Sequence, residues 1–267
     1  MSHSFTHLVL TRFNTAVGYA PSAKRLDSGW LRMRLAMFER YCLPSMAAQR
    51  NAIFQWIVFC DAKSPEWFRE KMASFGPLVK TIYVDGWLTD ERIAGSVAAA
   101  DMVSTPYLIT TRLDNDDALA SGHLAIVQSE FQEQDREFLE FPVGIQSFRG
   151  HLYNVYWHSN PFLSLVEKVQ KAKRFTTVCC VRHDRVRSAG RIRSLVRSPQ
   201  WLQLIHGENI GNSLRGWPRL RSRNAPDFEV LWPAEHPSDS LPQRFLFTAA
   251  AYGERAKSWM TRRLRPA

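Results

Sequence analysis

The stretch YLITTRLDNDDAL, residues 107–119, runs from an apolar, β-branched segment into three carboxylates within four positions, Asp114, Asp116 and Asp117. Like charges this close repel, so the chain must offset the repulsion with water or with a bound cation. The apolar part has the length and composition of a buried strand, which places the acids at a strand's carboxyl end.

Upstream, three more segments read as buried strands: HLVLTRF (7–13), FQWIVFCD (54–61) and VKTIYVDG (79–86). Helical patterns separate them. Residues 30–49 place Leu31, Leu35, Phe38 and Cys42 at helical spacing, 65–76 run from Pro65 to Gly76, and 89–103 open on Thr89 as a cap with acids behind it. Strict alternation of strand and helix implies right-handed crossovers, hence an α/β fold with a largely parallel sheet covered on both faces. Such sheets bind ligands beyond their strands' carboxyl ends. Asp61, Asp85 and Asp114 end three of the four strands there, and Arg12 and Asn14 end the fourth.

Downstream the pattern changes. Residues 123–134 read as a helix, and 137–148 and 151–158 as strands around an Arg149–Gly150 turn. A helix is expected over 160–171, opened by Asn160 and Pro161, then a strand over 176–183 and a mobile basic loop over 184–197. WLQLIHGEN (201–209) reads as a helix-like run broken at Gly207. An irregular Pro-rich region (218–242) and a final helix ending in RRLR (262–265) complete the chain.

At 267 residues and 45% hydrophobic content the chain can bury a large core and is not disordered. No uncharged apolar run approaches a membrane span, and no secretory leader is legible at the N-terminus, so a cytoplasmic location is expected. Cys42, Cys60, Cys179 and Cys180 lack paired metal spacing and read as reduced core residues. Residues 1–150 carry 15 Lys+Arg against 17 Asp+Glu, and residues 151–267 carry 20 against 8, giving net charges of −2 and +12. A basic second half favours anionic partners, whether nucleic acid, acidic lipid or phosphorylated substrate.

If the strand stays extended, Asp114 and Asp116 project to one side and Asn115 and Asp117 to the other. Two carboxylates on one side make half of a cation site for Mg²⁺ or Mn²⁺, which fill their remaining positions with water and phosphate oxygens. The plainer reading of DNDD is an acidic turn capping the next helix. Its position at the ligand rim favours the metal.

This arrangement resembles the Asp-x-Asp signature of nucleotide-sugar glycosyltransferases of the GT-A fold, and the wider wording resembles the bacterial rhamnosyltransferase family. The similar pieces are HLVLTRFN, FERYCLP, QWIVFCD, TTRLDNDDAL, SNPFLSLVE and WLQLIHGEN, spanning residues 7 to about 210. The resemblance implies a three-layer, Rossmann-like domain over 1–215, with a nucleotide-binding half (1–120) and an acceptor half (121–215), and a basic extension over 216–267. It implies an enzyme that moves a sugar, rhamnose if the family's name holds, from a nucleotide-diphosphate donor to a glycan or lipid-linked acceptor.

Carried over by residue, the resemblance makes Asp116 a direct metal ligand, Asp114 a residue shared between metal and ribose, and His206 the histidine that completes the site. His206 reads equally well as a surface-loop histidine. Arg12, Asp61, Arg112 and Asp114 are the expected nucleotide-sugar contacts, with Asp61 alternatively a helix cap ahead of Pro65. Glu167 and Asp184 are candidates for the catalytic base, against a solvated helix face for Glu167 and simple arginine pairing for Asp184. Tyr153, Tyr156 and Trp157 offer faces for sugar stacking or belong to the core. The arginines of the second half hold a lipid-phosphate acceptor at an anionic membrane surface, or merely solubilise.

Two other functions compete. A sugar nucleotidyltransferase also uses paired acids and a metal, but the Gly-rich basic loop expected after its first strand is missing from TRFNTAVGYAPSAKR. A nucleic-acid-binding protein would suit the charge, but no binding motif is present, so no nucleic acid is expected.

Overall fold

The computed structural model describes residues 4–17, 23–170, 174–207, 213–218, 225, 227–230 and 240–263. In chain order the elements are β1 (Phe5–Arg12), α1 (Ser28–Met37), α2 (Leu43–Ala47), β2 (Gln55–Asp61), α3 (Glu66–Ala73), β3 (Val79–Val84) and α4 (Asp90–Ala99). Then follow β4 (Tyr107–Arg112), β5 (Ala118–Leu119), α5 (His123–Ser129), β6 (Glu137–Glu140), β7 (Val143–Phe148) and β8 (His151–Tyr156). The last are β9 (Leu163–Lys168), β10 (Arg191–Ser194), β11 (Trp201–Ile205), β12 (Trp217–Pro218) and α6 (Leu241–Arg263).

Seven strands form the main sheet in the order β10-β6-β9-β4-β1-β2-β3. β3, β2, β1 and β4 are mutually parallel, as the alternation requires. On one face Leu31 and Leu35 of α1, Phe38, Cys42 and Met46 behind it, and Phe68 and Met72 of α3 pack with Val9, Trp56, Val58 and Ile109. On the other, Ile93 and Val97 of α4 meet Leu8, Leu10, Ile57 and Phe59. The three-layer α/β architecture is the one expected. Cys42 and Cys60 are buried and unpaired, also as expected.

A second sheet, β12-β8-β7-β11-β5, stands beside the first. β7 and β8 make a hairpin whose turn is Arg149–Gly150, with φ of 50° and 73° at the two residues, the left-handed backbone a tight two-residue turn requires. The chain passes between the sheets at the acidic turn: β4 ends at Arg112, Asp117 N–H donates to the Asp114 carbonyl at 3.2 Å, and β5 pairs with β11.

Several elements of the second half differ from the sequence reading. Of the helix expected over 160–171, Lys171 lies outside the described residues, and residues 160–170 contain β9 instead, which lies antiparallel between β4 and β6. All but its last residue are buried, so its apolar positions lose period-two alternation, and the signals that read as a cap make a turn instead. The Asn160 amide donates to the carbonyls of Phe141 and Trp157, and its oxygen accepts from Phe162 N–H. Residues 176–183 are turn rather than strand, although Val178 is buried against the main sheet.

The expected loop over 184–197 contains a 3-10 turn (His183–Ser188) and β10, which pairs with β6 and is tied by Arg191 and Arg193 to Glu137. The single strand expected over 137–148 divides at Phe141–Pro142 into β6 and β7, one in each sheet. WLQLI is strand β11, not a helix. Glu208, Asn209, most of 218–242 and the Leu264–Arg265 end of RRLR lie outside the described residues.

Candidate active site

The carboxyl ends of β1, β2 and β4 carry the candidate residues, and the second sheet supplies others from across the seam. The acids do not share a strand face, because the chain leaves extended geometry after Arg112 and turns. Each acid is met separately by protein groups. Arg112 holds Asp114 through both oxygens, Nε to Oδ1 at 3.2 Å and Nη2 to Oδ2 at 2.9 Å, while Arg12 stands 4.0 Å away. Burial would raise the Asp114 pKa, but the two guanidiniums outweigh it and hold it at about 2.

Asp116 is engaged from two sides: Arg34 Nη1 and His206 Nε2 each lie 2.8 Å from its Oδ2. Arg34 also donates to Asn115 Oδ1 and stands 3.4 Å from the His206 ring nitrogen. Burial opposes ionisation here too, yet Arg34 and the His206 hydrogen bond keep the carboxyl below its ordinary range. Asp117 behaves oppositely. Burial first, and then the two neighbouring anions, drive its pKa well up, and its Oδ1 accepts from Leu204 N–H at 2.9 Å. It ties the acidic turn to β11, the strand that delivers His206.

Asp61 is almost completely buried, accepts from Lys63 N–H at 2.8 Å and pairs with Arg25 at 2.9 Å. It therefore anchors the turn ahead of Pro65 without capping a helix, since Pro65 itself stands at the N-cap of α3 with no side-chain bond, and Arg25 covers its second oxygen. Asn14 braces the same turn through Asp61 N–H and Ser64 Oγ.

Of the two base candidates, Glu167 is held away from the acids. Glu167 pairs in register with Leu108, at the opposite end of β4, which places it roughly 20 Å from Asp114 at about 3.3 Å per residue. It sits on a strand rather than a helix face, and its carboxylate accepts from the N–H groups of Thr176 and Thr177 at 2.9 Å each. Asp184 is exposed and pairs with Arg182 at 3.0 Å. Of the aromatics, Tyr153 is core, Tyr156 is exposed, and Trp157 lies 4.1 Å beneath the Arg215 guanidinium.

Two further candidate residues are not singled out by the sequence reading. Arg34, within an otherwise ordinary helix, is one. The other is His183, whose charge environment couples it to Asp114 and Arg112. Its Nδ1–H donates to the Ser159 carbonyl at 2.6 Å, so the neutral ring presents an unprotonated Nε2. Burial lowers its pKa below 6.5, and Arg112 adds to the effect against the pull of the Ser159 bond. Glu140, at the end of β6, holds that corner by accepting from Ser159 N–H and His158 Nδ1, each at 2.6 Å.

Metal fit can be judged from the donors. Among the described residues no three His, Cys, Asp or Glu side chains converge as a cage. Asp116 and His206 do converge, 2.8 Å apart, one from the turn between β4 and β5 and the other from the end of β11. Bonds of about 2.1 Å at right angles put adjacent ligands of a small divalent ion about 3 Å apart, so this pair spans two neighbouring positions once Arg34, 2.8 Å from the same oxygen and 3.4 Å from the same nitrogen, draws back.

A mostly parallel sheet with charged groups at its carboxyl rim is the architecture of enzymes that take nucleotide ligands at that edge. The chain belongs to the family described as "Putative rhamnosyl transferase", whose model matches residues 7–216. No curated protein matches the chain. Among solved structures it is similar to S. aureus TarS 1–349 in complex with UDP-GlcNAc, at 11% identity and a TM-score of 0.46, over 76% of this chain and 60% of that one. It is also similar to the UDP complex of the same protein, at 11% identity and a TM-score of 0.43, over 75% and 60%. HddC from Yersinia pseudotuberculosis is similar at 11% identity and a TM-score of 0.40, over 74% and 93%. The chain spans about 60% of the length of the TarS 1–349 structures.

Proposed function

We propose that the protein transfers a sugar, rhamnose by its family, from a nucleoside-diphosphate donor seated across the carboxyl ends of β1, β2 and β4 to a hydroxyl of a glycan or lipid-linked acceptor. The observation that carries this reading is the meeting of Asp116 and His206, ninety residues apart, at the rim of the parallel sheet. Asp116 and His206 would hold a divalent ion, Mn²⁺ or Mg²⁺, with Asp114 beside them. That ion supplies Lewis-acid neutralisation of the diphosphate.

The chain's own residues do the rest. His183 Nε2 takes the proton of the acceptor hydroxyl, whose oxygen bonds to the anomeric carbon as the bond from that carbon to the diphosphate breaks. The electron pair leaves on the diphosphate oxygen, where Arg12 and Arg112 meet the growing charge. Asp114 orients both guanidiniums. Base contacts fall to the Asn14–Asp61 corner once Arg25 yields its place.

Calorimetry with UDP and other nucleoside diphosphates tests the reading. Binding is expected with Mn²⁺, weakens sharply in EDTA, and is lost in Asp116→Asn. Equal affinity with and without EDTA would remove the metal.

A further inference from the structure

α6 is built with two apolar faces, although one suffices to hold it. Its inner face docks on the second sheet. Phe247 packs edge-on against Phe148 at 5.8 Å, Arg244 donates to the Leu152 carbonyl at 3.1 Å, and Thr248 is buried. Tyr252 stacks on Trp217 at 5.6 Å and donates to the Arg215 carbonyl at 2.6 Å. These contacts fix which side of the helix faces outward.

That outward side carries no charge over thirteen residues. Leu241, Pro242, Phe245, Leu246, Ala249, Ala250 and Gly253 are all exposed, with Leu246 67% accessible, Leu241 48% and Phe245 44%. The spacing of three, four and seven is that of one helical face, about 18 Å long at 1.5 Å per residue. In water a surface helix turns its charges outward, so this face calls for a covering partner.

The charges of the same helix and its neighbours identify that partner. Residues 241–267 carry six Lys+Arg against one Glu, within a half-chain of net +12. Two copies meeting through this face would bring like charge together, whereas an acidic lipid surface complements it. Two further exposed aromatics stand on the second sheet: Trp217, 60% accessible and stacked on Tyr252 of the helix, and Tyr156, 62% accessible and two residues along β8 from the Asn154 that pairs with Trp217. Rings with a polar edge suit the level of lipid headgroups. Among the described residues no helix is long and apolar enough to cross a membrane, so α6 would lie in the interface plane rather than span it.

We propose that the outward face of α6, centred on Phe245 and Leu246, docks the protein onto an anionic lipid bilayer. This stands on the helix alone and does not depend on the donor or metal assignments.

The test is co-sedimentation of the full chain with vesicles of phosphatidylcholine, with and without phosphatidylglycerol. Wild-type protein is expected to partition onto the anionic vesicles, weakly onto the neutral ones, and less as salt is raised. Phe245→Glu/Leu246→Glu is expected to reduce the anionic partition coefficient about tenfold or more. Ala249→Glu, a small exposed position, gives the same direction of effect should the double variant fold poorly. A wild type that partitions onto neither vesicle overturns the proposal, as does Ala249→Glu binding as tightly as wild type with an unchanged melting temperature. A wild-type dimer that the double variant dissolves, without vesicle binding, would give the face to a second copy instead.

Discussion

The Arg34 guanidinium and the Asp116 carboxylate meet at 2.8 Å across eighty-two residues of sequence, with side chains only 11% and 6% accessible. A buried pair of this kind is costly to break from one side, because the surviving charge stays buried without its partner. Arg34→Met is expected to destabilise the fold by about 3–5 kcal/mol, and Arg34→Met/Asp116→Asn by less than the sum of the single changes. Urea denaturation of the four proteins measures the coupling. Strict additivity would show the pair to be incidental.

His206→Ala is expected to weaken metal-dependent nucleotide binding and to narrow any preference for manganese over magnesium, since an imidazole nitrogen is a softer donor than oxygen. The ligand-free melting temperature should fall modestly, because Asp116 keeps Arg34 but loses its second partner. Titrations with each metal check this, and an unchanged ratio of the two affinities would exclude His206 from the coordination shell.

His183→Gln is expected to lower kcat by about 10²–10⁴-fold with KM little altered, if the ring accepts the acceptor's proton. Burial holds His183 below 6.5, so the neutral ring prevails at pH 7 and the wild-type rate falls only as pH drops through the lowered pKa. The variant should lose that acid limb. A variant that keeps both rate and limb would return the role of base to another group.

Stability should also decline in acid for a reason far from the rim. His7 bridges Thr111 Oγ1 at 2.8 Å and Gln128 Nε2 at 3.0 Å, and His123 lies 4.7 Å from the Phe141 ring. Burial lowers both pKa values from 6.5 to about 3, with His123 adding to the shift at His7. Depressed folded values mean that the unfolded chain binds more protons between pH 6.5 and 3. Stability is therefore complete above pH 6.5 and falls as pH drops, by up to roughly 1.4 kcal/mol per pH unit for each histidine. His7→Gln should flatten the decline in chemical denaturation between pH 7.5 and 4.5. An identical slope in the variant would contradict this.

A Cβ on Gly144 would stand 2.1 Å from the Trp201 ring, which stacks on Phe162 at 4.8 Å and donates from Nε1 to the Phe141 carbonyl at 2.7 Å. With the ring held on two sides, Gly144→Ala is expected to cost about 1–3 kcal/mol. A thermal melt within one degree of wild type would show that Trp201 can move.

The first half was legible because its physics is local. β1 to β4 are short apolar runs separated by helices with recognisable caps such as Thr89, which accepts from Arg92 N–H at 3.3 Å. The second half depends on non-local pairing. β9 is paired on both edges and buried on both faces, Val166 in one core and Leu163 and Leu165 in the other, so nothing in its residues distinguishes it from a helix, and Asn160–Pro161 mimics a cap. The acids were visible at the rim, but their partners were not. Arg34 reads in sequence as a solvent-facing charge on α1, and His183 as one polar residue in RHDR. Only the meeting of distant segments gives either a role.

The hand-over of the chain at the acidic turn has a mechanical consequence. Asp114 belongs to the end of the first sheet, while Asp117 is pinned to β11 and His206 rides at the end of that strand. The Asp116–His206 gap is therefore a gauge of how the two sheets are seated. A rotation of one against the other by a few degrees is expected to change this gap, so a load applied to the second sheet would reach the pair proposed to hold the ion.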